Sequence, residues 1–256
     1  MYNVSDITYI DAHCHLYEYS TDYIGELVKD TLIFAVSDDL DSSNKTINIS
    51  RKFNNVFPGV GIHPWVIDHD ISFREALGAI DYFREHIDKI KMLGEIGLDS
   101  YFRRDTMDKQ VVIFKELVKI AAENNLLVNV HALGTWRIVL EELYRNDVPI
   151  AILHWYSGPI NMIEDIESLG YYITINPSVD FQRKHKEVLR KSPLSIILTE
   201  SDGPYEYRGR KLGPSLIPWL IHIISSEKGI ESVELIKVLK ENVARIFRRL
   251  GVKYVL

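Results

Sequence analysis

The chain has 256 residues, 46% hydrophobic and 26% charged, with a formal net charge of −6. That composition suits a globular protein with a full core, and the acidic balance excludes a broad basic track for gripping duplex nucleic acid through many phosphates. The lone Cys14 excludes an intramolecular disulfide and fits a reducing compartment.

No uninterrupted apolar run approaches the roughly 18 residues of a membrane span. Met1-Tyr-Asn-Val-Ser-Asp6 lacks the basic and apolar regions of a signal peptide, so a cytoplasmic location with no membrane partner is expected. No obligate protein partner is indicated.

The run Ile7-Thr-Tyr-Ile10 reads as a first strand closing on Asp11-Ala-His-Cys-His15. Alternation along a strand puts Asp11, His13 and His15 on one face and Cys14 on the other, so two imidazoles converge. That is half a metal site, because neutral imidazole suits zinc and related divalent ions. A short helix is predicted over Ile24 to Asp30, and the apolar run Leu32 to Ser37 suits a strand buried on both faces of a parallel sheet. Asp38 to Asn44 then open a helix reaching about Phe53, and Val56 to Ile62 returns as a strand ending in Gly61-Ile-His-Pro-Trp65.

Ser72 to about His86 carries Phe73, Leu77, Ile80 and Phe83 at helical spacing, with Ser72 as the expected N-cap. Met92 to Asp99 is a strand with Glu95 between two glycines. Asp108 is expected to cap an amphipathic helix that stops at Asn124-Asn125, and Leu126 to Val130 is a strand ending in His131. The alternation continues with a helix over Thr135 to Arg145, a strand over Pro149 to Leu153 ending in His154, and a weaker helix over Ile160 to Ser168. A strand over Tyr171 to Ile175, a helix over Phe181 to Leu189 and a strand over Ser195 to Thr199 complete it, ending in Glu200-Ser-Asp202. Extra helices follow over Pro214 to Ser226 and Ser232 to Leu250, the latter stopped by Gly251. Eight strand-helix alternations favour one α/β domain over residues 1–256, a (β/α)8 barrel open to distortion. The absence of Gly-x-Gly-x-x-Gly after the first strand weakens a dinucleotide-binding reading.

The polar residues at C-terminal strand ends are His13 and His15, His63, Glu95, His131, His154 and Asp202. Barrels of this kind place their active sites on that face. His69, His86, His185 and His222 lie away from strand ends and read as structural or solvated. Asp11 and Glu200 share the inward side but lie deeper, suited to orienting a ligand rather than being one.

Asp11-Ala-His-Cys-His15, Gly61-Ile-His-Pro64, Gly94-Glu-Ile-Gly-Leu-Asp99, His131, His154-Trp-Tyr-Ser-Gly158, Thr199-Glu-Ser-Asp-Gly-Pro204 and Asn242-Val-Ala-Arg-Ile-Phe247 together resemble the TatD family of metal-dependent hydrolases. The resemblance covers essentially the whole chain. It implies a TIM barrel of the amidohydrolase superfamily, two divalent ions (zinc, magnesium or manganese) and deoxyribonuclease activity. By position, His13, His15 and Asp202 would hold one ion, His131 and His154 the other, and Glu95 would bridge them, with His63 at the substrate phosphate or the nucleophilic water. Three departures stand out: Leu133 where the family usually has arginine, Ser201 in place of threonine and Tyr156 in place of phenylalanine.

Two ions about 3.5–4 Å apart can activate a shared water and clamp a phosphodiester, with Asp202 as general base and Glu95 and His63 beside it. Such charge would let an acidic protein hold a DNA or oligonucleotide substrate, most readily at ends or single strands. Arg104 and Arg208, with Arg103, Arg210 and Lys211, could add phosphate contacts, and Trp155, Tyr205 and Tyr207 could stack on a base. The alternatives are a two-metal hydrolase of a cyclic amide, ester or lactone, and a catalytically silent binding barrel. Glu95, where many such hydrolases need a carboxylated lysine, favours the nuclease.

Overall fold

A computed structural model describes residues 2–3 and 7–255. The signal-peptide reading therefore rests partly on residues outside the described ones. Eight parallel strands follow one another: β1 (Tyr9–Cys14), β2 (Thr31–Ala35), β3 in two pieces (Val56–Pro58 and Val60–Ile62), β4 (Met92–Gly97), β5 (Leu127–His131), β6 (Ile150–Leu153), β7 (Tyr172–Ile175) and β8 (Ile197–Thr199). One ladder set runs from β1 to the first piece of β3, and another from its second piece to β8. The Gly59 N–H donates to the Ala35 carbonyl at 2.7 Å, bridging the break in β3. Thr199 Oγ1 donates to the Ile10 carbonyl at 2.5 Å and the Asp202 N–H to the His13 carbonyl at 3.0 Å, closing β8 onto β1. The fold is the expected (β/α)8 barrel, distorted by the breaks in β3 and at this seam and by register shifts in the β1–β2, β3–β4 and β4–β5 pairings. Nearly every strand residue is buried, because helices cover the sheet outside and side chains fill it inside.

The helices are α1 (Thr21–Leu27), α2 (Leu40–Ser50), α3 (Asp70–Glu85), α4 (Met107–Glu123), α5 (Trp136–Arg145), α6 (Ile163–Ser168), α7 (Arg183–Lys191), α8 (Ile217–Lys228) and α9 (Ser232–Leu250). Two expected caps are corrected. His69, not Ser72, caps α3: its Nδ1 accepts the Ser72 N–H at 3.1 Å while Ser72 Oγ accepts the His69 N–H at 3.0 Å. A neutral imidazole nitrogen can accept as a hydroxyl does, so the box forms with Ser72 at its third position. Asp108 sits inside the first turn of α4, which begins after a 3-10 turn at Arg104–Thr106. There its charge still favours the helix dipole. α1 starts three residues before the expected Ile24, where Ser20 accepts the Tyr23 N–H. α7 starts two residues late because a 3-10 turn, Pro177–Asp180, intervenes.

α9 locks the barrel from outside. Phe247 stands 5.9 Å from Phe34 of β2 and 5.2 Å from Phe57 of β3, ring centre to centre. Asn242 Nδ2 donates to the carbonyls of Leu194 at 2.9 Å and Ile197 at 2.7 Å, pinning α9 to the entry of β8. Asn242→Ala removes both bonds from buried groups and is expected to cost about 1–3 kcal/mol, read as a lower urea midpoint with unchanged slope. An unshifted midpoint would show that the helix packing alone holds this contact.

Candidate metal centre

Glu95 lies inside β4, one pleat short of its end, with 1% of its surface exposed. Its Oε1 faces His154 Nε2 at 2.9 Å, His131 Nδ1 at 3.0 Å and His63 Nε2 at 3.2 Å. Its Oε2 faces Nε2 of His13 and of His15, each at 3.3 Å. Asp202 Oδ1 stands 3.5 Å from the first of these nitrogens and 3.6 Å from the second. The seven residues collected from strand ends are thus brought together. Two motif glycines permit it: a Cβ on Gly61 would run into the backbone of Glu95, and one on Gly97, at φ +156°, into the carbonyl of His131.

Behind the imidazoles stands a layer of polar groups. His13 Nδ1 lies 2.8 Å from Asn129 Oδ1, and because Asn129 Nδ2 donates to the Ala12 carbonyl at 2.8 Å, that oxygen must accept. The His13 proton therefore sits on Nδ1 and its Nε2 lone pair points at Glu95 and Asp202; Nε2 is buried without a hydrogen-bond partner. Two acceptors 3.3 Å apart require a cation between or beside them, a proton or a metal ion. This is the donor chemistry that a divalent ion fits. Ligand atoms of His13, His15 and Asp202 lie within 4.8 Å of one another, as do those of His63, Glu95 and His131. Glu200, with His13 and His154, forms a further such group.

His131 Nε2 meets Asp99 Oδ2 at 3.0 Å, and Asp99 also accepts the Trp65 indole N–H at 2.6 Å. His15 Nδ1 faces Asp38 Oδ1 at 3.1 Å. His154 Nδ1 lies 3.7 Å from Glu200 Oε2, whose carboxylate accepts Thr174 Oγ1 at 2.5 Å and Asn176 Nδ2 at 3.1 Å. Asp11 Oδ1 accepts the Ser201 N–H at 2.8 Å, tying β1 to the segment after β8. Burial pushes the Asp11 carboxyl up to about 7 despite that bond. Glu200 and Asp11 thus support the inner layer. Asp38, Asp99 and Asn129 were not singled out from the sequence. Asp38 follows β2 closely and Asp99 closes the quoted Gly94-to-Asp99 motif, so the strand-end rule could have found both. Asn129 could have been found two residues before His131 on the same face.

Burial opposes charge throughout the cluster, yet the pairing wins. His63, His154 and His13 hold the Glu95 carboxyl well below its usual range. Asp38 is brought down to about 2 against burial by His15, and Asp99 to about 2 by His131 and Trp65. Against the same desolvation, Asp38 raises His15 well above the usual imidazole value, Glu95 does the same to His154, and Asp99 raises His131. His185 lies apart, with Nε2 accepting the Asn176 N–H at 3.2 Å, and burial takes it down to about 4.

The family model for TatD related DNase matches residues 10–248. The chain belongs to the TatD family of hydrolases. It is 28% identical over 252 residues to an uncharacterized metal-dependent hydrolase of Methanocaldococcus jannaschii, covering 95% of this chain and 98% of that one. It is 25% identical over 266 residues to the human deoxyribonuclease TATDN3, covering 94% and 95%. Its fold is similar to the crystal structure of YjjV, a TatD homologue from Escherichia coli K12, with a TM-score of 0.81 at 22% identity over 94% of this chain and 98% of that one.

In this TatD-family chain the cluster floors a cavity of about 720 Å³ at the C-terminal mouth of the barrel. His63, Trp155 and Tyr205 line it, and Leu133 stands in its wall. Arg104 and Arg208 do not line it. Arg104 is exposed on the turn before α4, and the Arg208 guanidinium sits 5.3 Å from the centre of the Tyr207 ring. No helix is long and apolar enough to cross a membrane among the described residues.

Because their pKa values are raised, His15, His131 and His154 keep protons to higher pH than free imidazoles, and a metal ion must displace them. Zinc affinity is therefore expected to fall as pH drops through and below neutrality, by about tenfold per pH unit for each proton displaced. Calorimetry in buffers of different ionisation enthalpy should show proton release on binding; pH-independent affinity with no release would contradict the arrangement.

Proposed function

We propose that this TatD-family chain is a two-metal phosphodiesterase acting on DNA or oligonucleotides, at ends or on single strands. The observation that carries the reading is the division of the Glu95 carboxylate, one oxygen toward His13 and His15 and the other toward His131 and His154. A bridging carboxylate can serve two cations at once, whereas each imidazole can serve only one. His13, His15 and Asp202 would hold one ion, His131 and His154 the other. The imidazole-rich donor set suits zinc better than magnesium. When bound, two divalent ions supply a Lewis-acid field that makes water nucleophilic at neutral pH and neutralises phosphate charge.

The chain's own residues do the rest. Asp202, whose Oδ1 stands 3.5 Å from His13 Nε2 and 3.6 Å from His15 Nε2, would accept the proton of the attacking water. His63, at the edge of the cluster and lining the cavity, can donate a hydrogen bond to a phosphate oxygen. Asp99 and Asn129 hold His131 and His13 in fixed orientations, and such support for ligands commonly matters about 10–100-fold in metal affinity. The human relative's name, deoxyribonuclease TATDN3, supports DNA as the substrate.

Glu95→Ala should lose most of the bound metal, measured by elemental analysis after dialysis; two retained equivalents at unchanged affinity would refute the bridge. Asp202→Asn keeps a carbonyl of similar shape but not the base. It should retain the ion at His131 and His154 while turnover falls about 10²–10⁴-fold. Near-normal turnover with full metal would remove Asp202 as the base. A panel of single-stranded DNA, duplex DNA, RNA and a lactone tests the class, and brisk lactone hydrolysis without phosphodiester turnover would replace the reading with the lactonase alternative.

A further inference from the structure

Two aromatic walls face each other across the cavity. Tyr101 and Phe102 follow β4, while Tyr205 and Tyr207 follow β8, and strands four apart in a closed ring of eight stand on opposite sides of its mouth. Trp65 extends the first wall, its ring centre 5.5 Å from that of Phe102 and 5.2 Å from that of His63. Trp155 extends the second, 5.1 Å from Tyr207 and 6.1 Å from Tyr205. The Glu95 cluster lies between them. Tyr101 and Phe102 are 74% and 58% exposed, a large apolar surface for residues beside a polar site.

The charge of the lining is equally uneven. No lysine or arginine lines the cavity among the described residues, whereas Glu18 and Glu206 present exposed carboxylates there. Of the basic side chains on the nearby hairpin, Arg210 lies 3.6 Å from Asp180 and 4.4 Å from the centre of the Phe181 ring, and Arg208 sits 5.3 Å from the centre of the Tyr207 ring without lining the cavity itself. Among the side chains that line the cavity, only the cluster at the floor could therefore neutralise phosphate. A second or third phosphate would meet carboxylates at the rim and release no counterions. A volume of about 720 Å³ is that of a small-molecule pocket rather than a strand-length groove.

We propose that the cavity is built for a dinucleotide unit, two bases stacked on opposite aromatic walls around a single phosphodiester, so that a chain longer than this gains nothing. The inference rests on the phosphodiesterase reading and narrows its substrate class to very short oligonucleotides.

The test uses the full-length, metal-reconstituted protein with thymidylyl-thymidine and oligothymidylates of about 10 and 20 residues, at low and physiological salt. The dinucleotide should match the longer substrates in kcat/KM within about threefold, with a shallow salt dependence. Phe102→Ala and Trp155→Ala, with metal content verified, should each raise its KM by about tenfold or more, as stacking losses do, while kcat stays within about threefold. Direct binding of the dinucleotide to the metal-free protein, read by tryptophan fluorescence, should weaken in parallel in Phe102→Ala. A kcat/KM that climbs tenfold or more with length and collapses with salt would overturn the dinucleotide site while leaving the phosphodiesterase intact, as would unchanged KM in both variants with unchanged binding in Phe102→Ala. Absence of turnover on every phosphodiester would bring down the phosphodiesterase reading and this inference with it.

Discussion

Five imidazoles share one buried carboxylate. Glu95, 1% exposed within a barrel strand, would be neutral in an apolar core, because desolvation penalises the charged form. Surrounded by His13, His15, His63, His131 and His154 it stays anionic, and His15, His131 and His154 are in turn drawn toward their protonated forms by the carboxylates they face. The cluster is stable only with positive charge inside it. Protons supply that charge at low pH, and divalent ions compete for the same places as the pH rises. Asn129, Asp38, Asp99 and Glu200 stand where they do because each of four imidazoles has a second nitrogen that must be oriented or satisfied.

The barrel delivers these groups by ending its strands abruptly. Just past β6 and β8 the backbone enters the left-handed region at Trp155, φ 42°, and at Asp202, φ 53°. Such conformations cost a non-glycine residue of order 1 kcal/mol or more and persist where surrounding bonds over-determine them. At Trp155 the N–H donates to Thr174 Oγ1 at 2.8 Å, and at Asp202 to the His13 carbonyl at 3.0 Å. The second bond belongs to the seam that closes the barrel, so ring closure and the aim of Asp202 are one event. Gly61 and Gly97 serve the same economy, since a Cβ at either would run into the backbone of Glu95 or His131 and open the strand ends around the cluster.

The charge distribution separates holding an anion from attracting a polymer. In a protein with a net charge of −6 and a cavity lining free of lysine and arginine among the described residues, the proposed substrate would find its phosphate charge neutralised at the Glu95 cluster rather than along the wall. Aromatic rings, which are indifferent to ionic strength, make up much of the rest of the lining, beside the carboxylates of Glu18 and Glu206. Leu133 adds apolar wall where an arginine would have added charge.

The sequence by itself determined the alternation of strands and helices, the barrel class and the seven residues of the cluster, because period-2 and period-3.6 patterns and strand-end positions are local properties of the chain. Boundaries were less legible: Ser72 looked like a cap and proved to be the third residue of a box capped by His69, since several polar residues near a helix start can play either part. Only the tertiary structure decided which nitrogen of His13 carries the proton, because that depends on Asn129, 116 residues away, and on the carbonyl of Ala12 that orients it. It likewise decided that Arg104 and Arg208 stand off the cavity. A loop's sequence says which side chains it owns, but their direction is set by what packs against them once the ring has closed.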